Sequence, residues 1–287
     1  MFELPSGSRD RPRNLADLED RQRAGGVTTR VILSSRMMSY ERSSSDPQQI
    51  AVIRVGGVSL IFAAVAFLAV FSYLAARFNY PEVLDGRAAD VLPALLATGD
   101  VGRAVWAIYS LLPLFWIPAA VGAFHALRAR SEGAMRLGVL FAAVSSLAMV
   151  LGLMRWPSFQ WELARTWVAE PSVRPALDTV FNAINLYLGN YIGEFLGELC
   201  FSMFFLLSSL AMFKRGSGFS RWVSWVGMAT AVAGLIGMFR NVTHAVAPIA
   251  EVNNYLLPVW MIVFGISLLR YRAEEPGIVA APAPVTA

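Results

Sequence analysis

Glu194 and Glu198 stand four residues apart in YLGNYIGEFLGELCFSMFFLLSSLAMF, a stretch from Tyr187 to Phe213 that is apolar enough to enter a bilayer. Ionisable groups at membrane depth are costly and are kept where something compensates them, so the pair is a site hypothesis from the outset. Three chemistries suit it: a proton shared between the carboxylates, an ion-pair network with arginine, or acid–base catalysis by a carboxyl group tuned by burial. Asn190, Glu194, Glu198 and Ser202 recur every four residues and form one polar stripe on a helix. Gly189, Gly193 and Gly197 form a small-residue stripe turned from it by about 100°. Such spacing lets another helix approach closely, within the chain or as an oligomer contact.

Helix rise sets the depth of these groups. Arg136 to Arg155 and Arg221 to Arg240 each cover 19 residues, about 28 Å and close to one hydrocarbon core. Glu198 lies 16 residues before Lys214 and Glu194 lies 20 before it, about 24 and 30 Å from that edge. Both carboxylates thus fall near the outer boundary, level with Arg155 and Arg240. The expected ligand site is an outward-facing polar pocket of Glu194, Glu198, Arg155, Arg240 and Asn190, with His244 as a titratable neighbour. The competing expectation is a structural ion-pair cluster that fixes helix register, with His244 an ordinary loop histidine. His125 falls at the opposite edge, which argues against paired histidine ligation of haem.

These residues need a membrane scaffold, and the composition supplies one. The chain of 287 residues is 56% hydrophobic and 15% charged, far from the balance of a soluble domain. Six spans are expected: Val55 to Ala76, Ala104 to Leu127, a third ending at Met154, a fourth ending at Phe213, Trp222 to Phe239, and Tyr255 to Leu269. Residues 1–50 read as a disordered or weakly structured arginine-rich segment, 51–272 as the transmembrane domain, and 273–287 as a disordered tail. Met37 and Met38 are candidate starts alongside Met1. The run AADVLPALLATG suits an interfacial helix, and Trp161 and Trp167 are expected with their indoles at headgroup level. The fold class is an all-α, six-span helical bundle.

All basic residues but Lys214 are arginines, and they gather at one side of these spans: before Arg54, in the loop with Arg128, Arg130 and Arg136, around Lys214, Arg215 and Arg221, and at Arg270 and Arg272. The positive-inside rule then places both termini in the cytoplasm. The basicity reads as a topology signal, and no nucleic-acid partner is expected. A shift of 85 positions lays Ala126 to Arg155 on Ala211 to Arg240, matching Arg136 with Arg221 and Arg155 with Arg240. The second–third and fourth–fifth hairpins are therefore open to reading as duplicates. With one cysteine and two histidines, and without a phosphate loop, nucleophile elbow or zinc helix, no cofactor or metal centre is expected.

The fourth span and its basic turn, FFLLSSLAMFKRGSGFSRWVSWVGMATAVAGLIG, followed by a last span of the form LPVWMIVFGISLLR, resemble the bacterial integral membrane family known as domain of unknown function 4386. The likeness covers roughly Val55 to Arg272. It implies a six-helix protein of the bacterial inner membrane and carries no activity and no catalytic residues.

Three functions follow as expectations. The first is binding or movement of a small amphipathic or ionic molecule through the pocket. The second is an intramembrane enzyme acting on a lipid-like substrate with Glu194 or Glu198 as acid or base. The third is a non-catalytic membrane partner or regulator. The lipid bilayer is the expected surrounding in each, and whether the chain is an enzyme stays open.

Overall fold

The computed structural model describes residues 47–272, apart from the side chains of Leu84 and Asp85. The expected disordered segment 1–50 and tail 273–287 lie outside it, except that Pro47 to Ile50 already belong to the first helix. The described chain is helical throughout, without a strand among the described residues. Five continuous helical stretches are long and apolar enough to cross a membrane: Pro47–Phe78, Gly99–Ala169, Pro171–Met212, Arg221–Asn241 and His244–Leu269.

The longest stretch folds back on itself. Ser131 leaves helical geometry, and the two halves then run antiparallel: the Ser146 hydroxyl donates to the Pro113 carbonyl at 2.7 Å and Arg103 Nε to the Pro157 carbonyl at 3.0 Å. The bundle therefore has six long legs, numbered here in chain order as leg 1 (47–78), leg 2 (99–130), leg 3 (132–154), leg 4 (174–212), leg 5 (221–241) and leg 6 (247–269). Pro113 lies in a short 3-10 turn, Leu112–Phe115, that breaks leg 2 as a proline within a helix should. Pro258 sits inside the helix of leg 6.

Apolar residues face outward as well as inward. Leu137, Leu140, Val144, Leu147 and Leu151 form a continuous exposed stripe along leg 3. A soluble protein rarely leaves such a face open, and lipid is the solvent that suits it. Inside, Trp116 stacks on Phe201 at 4.0 Å and Trp260 on Phe264 at 5.3 Å. Glycines set the closest crossings. A Cβ at Gly57 would lie 2.6 Å from the Gly265 carbonyl oxygen, and one at Gly56 would lie 2.8 Å from the Gly122 Cα. Leg 1 is thus held backbone to backbone between legs 2 and 6.

A second apolar cluster closes the end away from the arginine-rich turns. Here Trp106 stacks on Trp156 at 4.9 Å, beside Leu74, Phe78 and Phe181. The helix Ala88–Ala97 is too short to span and buries Ala88, Val91, Leu92 and Leu95, packing on the helices Trp161–Ala169 and Arg174–Ile184. This cover reverses the expectation for two indoles. Trp161 and Trp167 are buried, and Arg103 and Arg174 take up positions 5.3 and 5.5 Å from their ring centres. Cation–π contact and burial under a neighbouring helix hold the rings where headgroups would otherwise have held them.

At the opposite end the two basic turns clasp each other. Lys214 Nζ donates to the Arg130 carbonyl at 2.8 Å, and Arg130 Nε donates to the Gly216 carbonyl at 2.8 Å.

Candidate functional site

Leg 4 carries the carboxylates, and its middle is not an α-helix. Residues Asn185–Leu196 form a π-helix between the α-helices Arg174–Ile184 and Gly197–Met212. Bonding from each residue to the fifth one on widens the helix, and such turns are rare and concentrate at functional sites. The sequence NLYLGNYIGEFL supplies glycine on the face that leg 3 meets. A Cβ at Gly152 would lie 2.6 Å from the Gly193 Cα, and one at Gly189 would overlap the Arg155 guanidinium. Gly189, Gly193 and Gly197 are all buried. The close approach they permit is to leg 3 of the same chain.

On the neighbouring face, leg 5 ends in a 3-10 turn, Met238–Asn241, that aims two donors at leg 4. Arg240 bridges both carboxylates: one terminal nitrogen lies 2.6 Å from Glu198 Oε2 and the other 3.1 Å from Glu194 Oε2. Asn241 Nδ2 donates to Glu194 Oε2 at 2.8 Å and to the Asn190 carbonyl at 3.3 Å. From leg 6, Asn253 Nδ2 donates to Glu198 Oε1 at 3.3 Å. Three legs therefore meet in one polar layer. Ser202, next on the stripe, is buried against Gly234 of leg 5.

The sequence-predicted residues divide into three groups. Glu194, Glu198 and Arg240 come together as expected. Asn190 joins through its backbone carbonyl and not its amide. Arg155 and His244 do not join. Arg155 is only 4% exposed, and makes no ion pair among the described residues. Its Nε donates to Asn185 Oδ1 at 3.0 Å, a terminal nitrogen donates to the Gly152 carbonyl, and its guanidinium lies 5.1 Å from the Trp156 ring centre. Glu194 still acts on it electrostatically. His244 begins an exposed 3-10 turn, His244–Val246, where it neither donates to nor accepts from the cluster.

Register explains why the two arginines part. Ser145 donates to the Gly197 carbonyl at 2.7 Å, and Gly152 meets Gly193, so Arg155 arrives beside Gly189, beyond the carboxylates. Leg 5 meets leg 4 with Gly227 on Ser209 and Gly234 on Ser202, which delivers Arg240 to the level of Glu194 and Glu198.

The direct cluster holds two carboxylates against one guanidinium, and it is not sealed. Side-chain exposure is 29% for Arg240, 22% for Glu194 and 14% for Glu198. Both donors to Glu194 use Oε2; Oε1 takes no hydrogen bond from the described residues. Asn253 Oδ1 is buried and also without a hydrogen-bond partner among them. Next to the layer, Tyr80 and Tyr109 bring their hydroxyls to 3.4 Å. Burial pushes the Tyr80 phenol above its ordinary range, against the Tyr109 hydrogen bond, while Glu194 raises it and Arg155 and Arg240 lower it. The cluster lines neither of two recesses of about 520 and 500 Å³, which lie at the ends of the bundle.

The sequence profile of a family described as Domain of unknown function (DUF4386) matches residues 55–271. The chain belongs to the DUF4386 family. No curated protein and no solved structure matches it. The matched DUF4386 region contains all six legs apart from the first turns of leg 1, and with them Arg155, Glu194, Glu198, Arg240 and Asn253. The residues that sequence reasoning missed as members of the cluster are Asn241 and Asn253. Asn241 ends leg 5 and Asn253 lies in the second turn of leg 6, in a polar stretch of sequence before the apolar run that begins at Tyr255.

Proposed function

We propose that this DUF4386 protein crosses the bacterial cytoplasmic membrane six times, with the arginine-rich ends of its legs in the cytoplasm. On this reading the second–third and fourth–fifth legs descend from a duplicated hairpin, and the clasp between their turns supports it. The polar layer then lies at the outward mouth. Its function is to bind a small amphipathic or ionic molecule that presents a cationic or hydrogen-bond-donating group to Glu194.

The observation that carries this reading is the unused Oε1 of Glu194, on a side chain that keeps solvent access while its other oxygen is fixed by Arg240 and Asn241. The π-helix under Glu194 adds a second reason, since so unusual a backbone seldom persists without a role.

Native mass spectrometry of the detergent-purified protein tests the proposal. The wild type is expected to retain a discrete non-lipid mass that Glu194→Gln loses while its melting temperature stays within a few degrees. Identical spectra carrying membrane lipid alone would sink it.

A further inference from the structure

A different recess lies at the arginine-rich end of the bundle, independent of the carboxylate layer. It measures about 520 Å³ and is lined by Arg54 of leg 1 together with Leu269, Arg270, Tyr271 and Arg272 at the end of leg 6. The two helix ends are forced together by the Gly57 and Gly265 crossing, and a Cβ on Gly57 would also lie 3.0 Å from Leu269 Cγ. Tyr271 is fixed on the other side by Phe219, at 5.7 Å between ring centres, and by Gly218. The backbone packing therefore brings three exposed arginine residues to the lining of one open recess. Among the described residues none of the three makes an ion pair and no carboxylate lines the recess.

An anion in the recess would meet arginine from both helix ends, and a general inward excess of arginine would not require them to share a cavity. Some other arginines at this end have local partners: Arg136 pairs with Glu132 at 2.6 Å and Arg128 donates to Gln49 at 2.8 Å. We infer that the recess is a binding site for a phosphate-bearing anion, held by Arg54, Arg270 and Arg272. The planar fork of arginine matches phosphate oxygens two at a time. Basic pockets between helices at the cytoplasmic side suit phospholipid headgroups, and the same chemistry serves a soluble phosphate.

The full-length protein is compared with Arg54→Gln and Arg272→Gln by native mass spectrometry from micelles containing equal parts phosphatidylcholine and phosphatidylglycerol. A second arm follows the melting temperature with inorganic phosphate. Arg215→Gln, in the turn between legs 4 and 5, is the control for general surface attraction. Retained phosphatidylglycerol is expected to fall about fivefold for each arginine removed from the recess and to be unchanged in the control. Arg272 lies beyond the last helix, so its variant carries the comparison if Arg54→Gln fails to fold. Unchanged lipid with a phosphate-dependent stabilisation confined to the wild type and control would support the site with a soluble occupant. Equal lipid retention and equal phosphate response in all four proteins would overturn it, as would a control that loses as much as the recess variants.

Discussion

Arg155 and Arg240 stand at matching positions of a shifted sequence alignment, each 19 residues beyond an arginine at the opposite end of its leg, yet they live in different chemistry. Arg240 bridges two carboxylates and keeps 29% of its side chain exposed. Arg155 is buried among neutral acceptors, an asparagine oxygen and a backbone carbonyl, with a tryptophan ring beside it. Depth along the parent helix is the same for both; what differs is the level at which each helix meets leg 4. Equal spacing in sequence thus yields a bridge between two carboxylates on one side and a helix-locking contact on the other.

The largest effect should come from breaking the bridge. Arg240→Gln leaves Glu194 and Glu198 facing each other without a cation, and should lower stability in detergent by about 3 kcal/mol, read from thermal unfolding. Adding Glu194→Gln and Glu198→Gln to it should restore much of that loss; a triple variant no better than the single one would show that the bridge does not hold legs 4 and 5 together. Gly152→Ala should come next, at about 1–3 kcal/mol from overpacking, because its Cβ would collide with the Gly193 backbone. Arg155→Gln removes hydrogen bonds without stranding a carboxylate, so about 1–2 kcal/mol is expected. A loss as large as that of Arg240→Gln would erase the distinction drawn here. The smallest change, about 1 kcal/mol, is expected for Asn185→Ala, measured by the same melts.

Much of the scaffold could be read from the sequence, because apolar run length and flanking arginines are one-dimensional properties. The six legs, a fourth span ending near Met212 and the level of Glu198 with Arg240 follow from run length and rise. Rotation and register do not. Arg155 missed the carboxylates because glycine contacts between legs 3 and 4 set its level, and no spacing within leg 3 encodes that. Trp161 and Trp167 turned inward because a helix 70 residues earlier in the chain covers them. The π-helix left only Gly189 and Gly193 as a trace, and nothing in the spacing of Asn241 or Asn253 marks either as a donor to the carboxylates.

The contact of Gly57 with Gly265 joins the first leg to the last. During synthesis leg 1 meets the backbone of leg 6 on that side only after more than 200 further residues have been made. Leg 1 must wait in the bilayer, held by leg 2 through Gly56 and Gly122, while four more helices insert. A chain cut short before leg 6 would leave the narrow groove at Gly57 open to lipid or to another protein, and completion of the bundle is signalled only by the last helix to arrive.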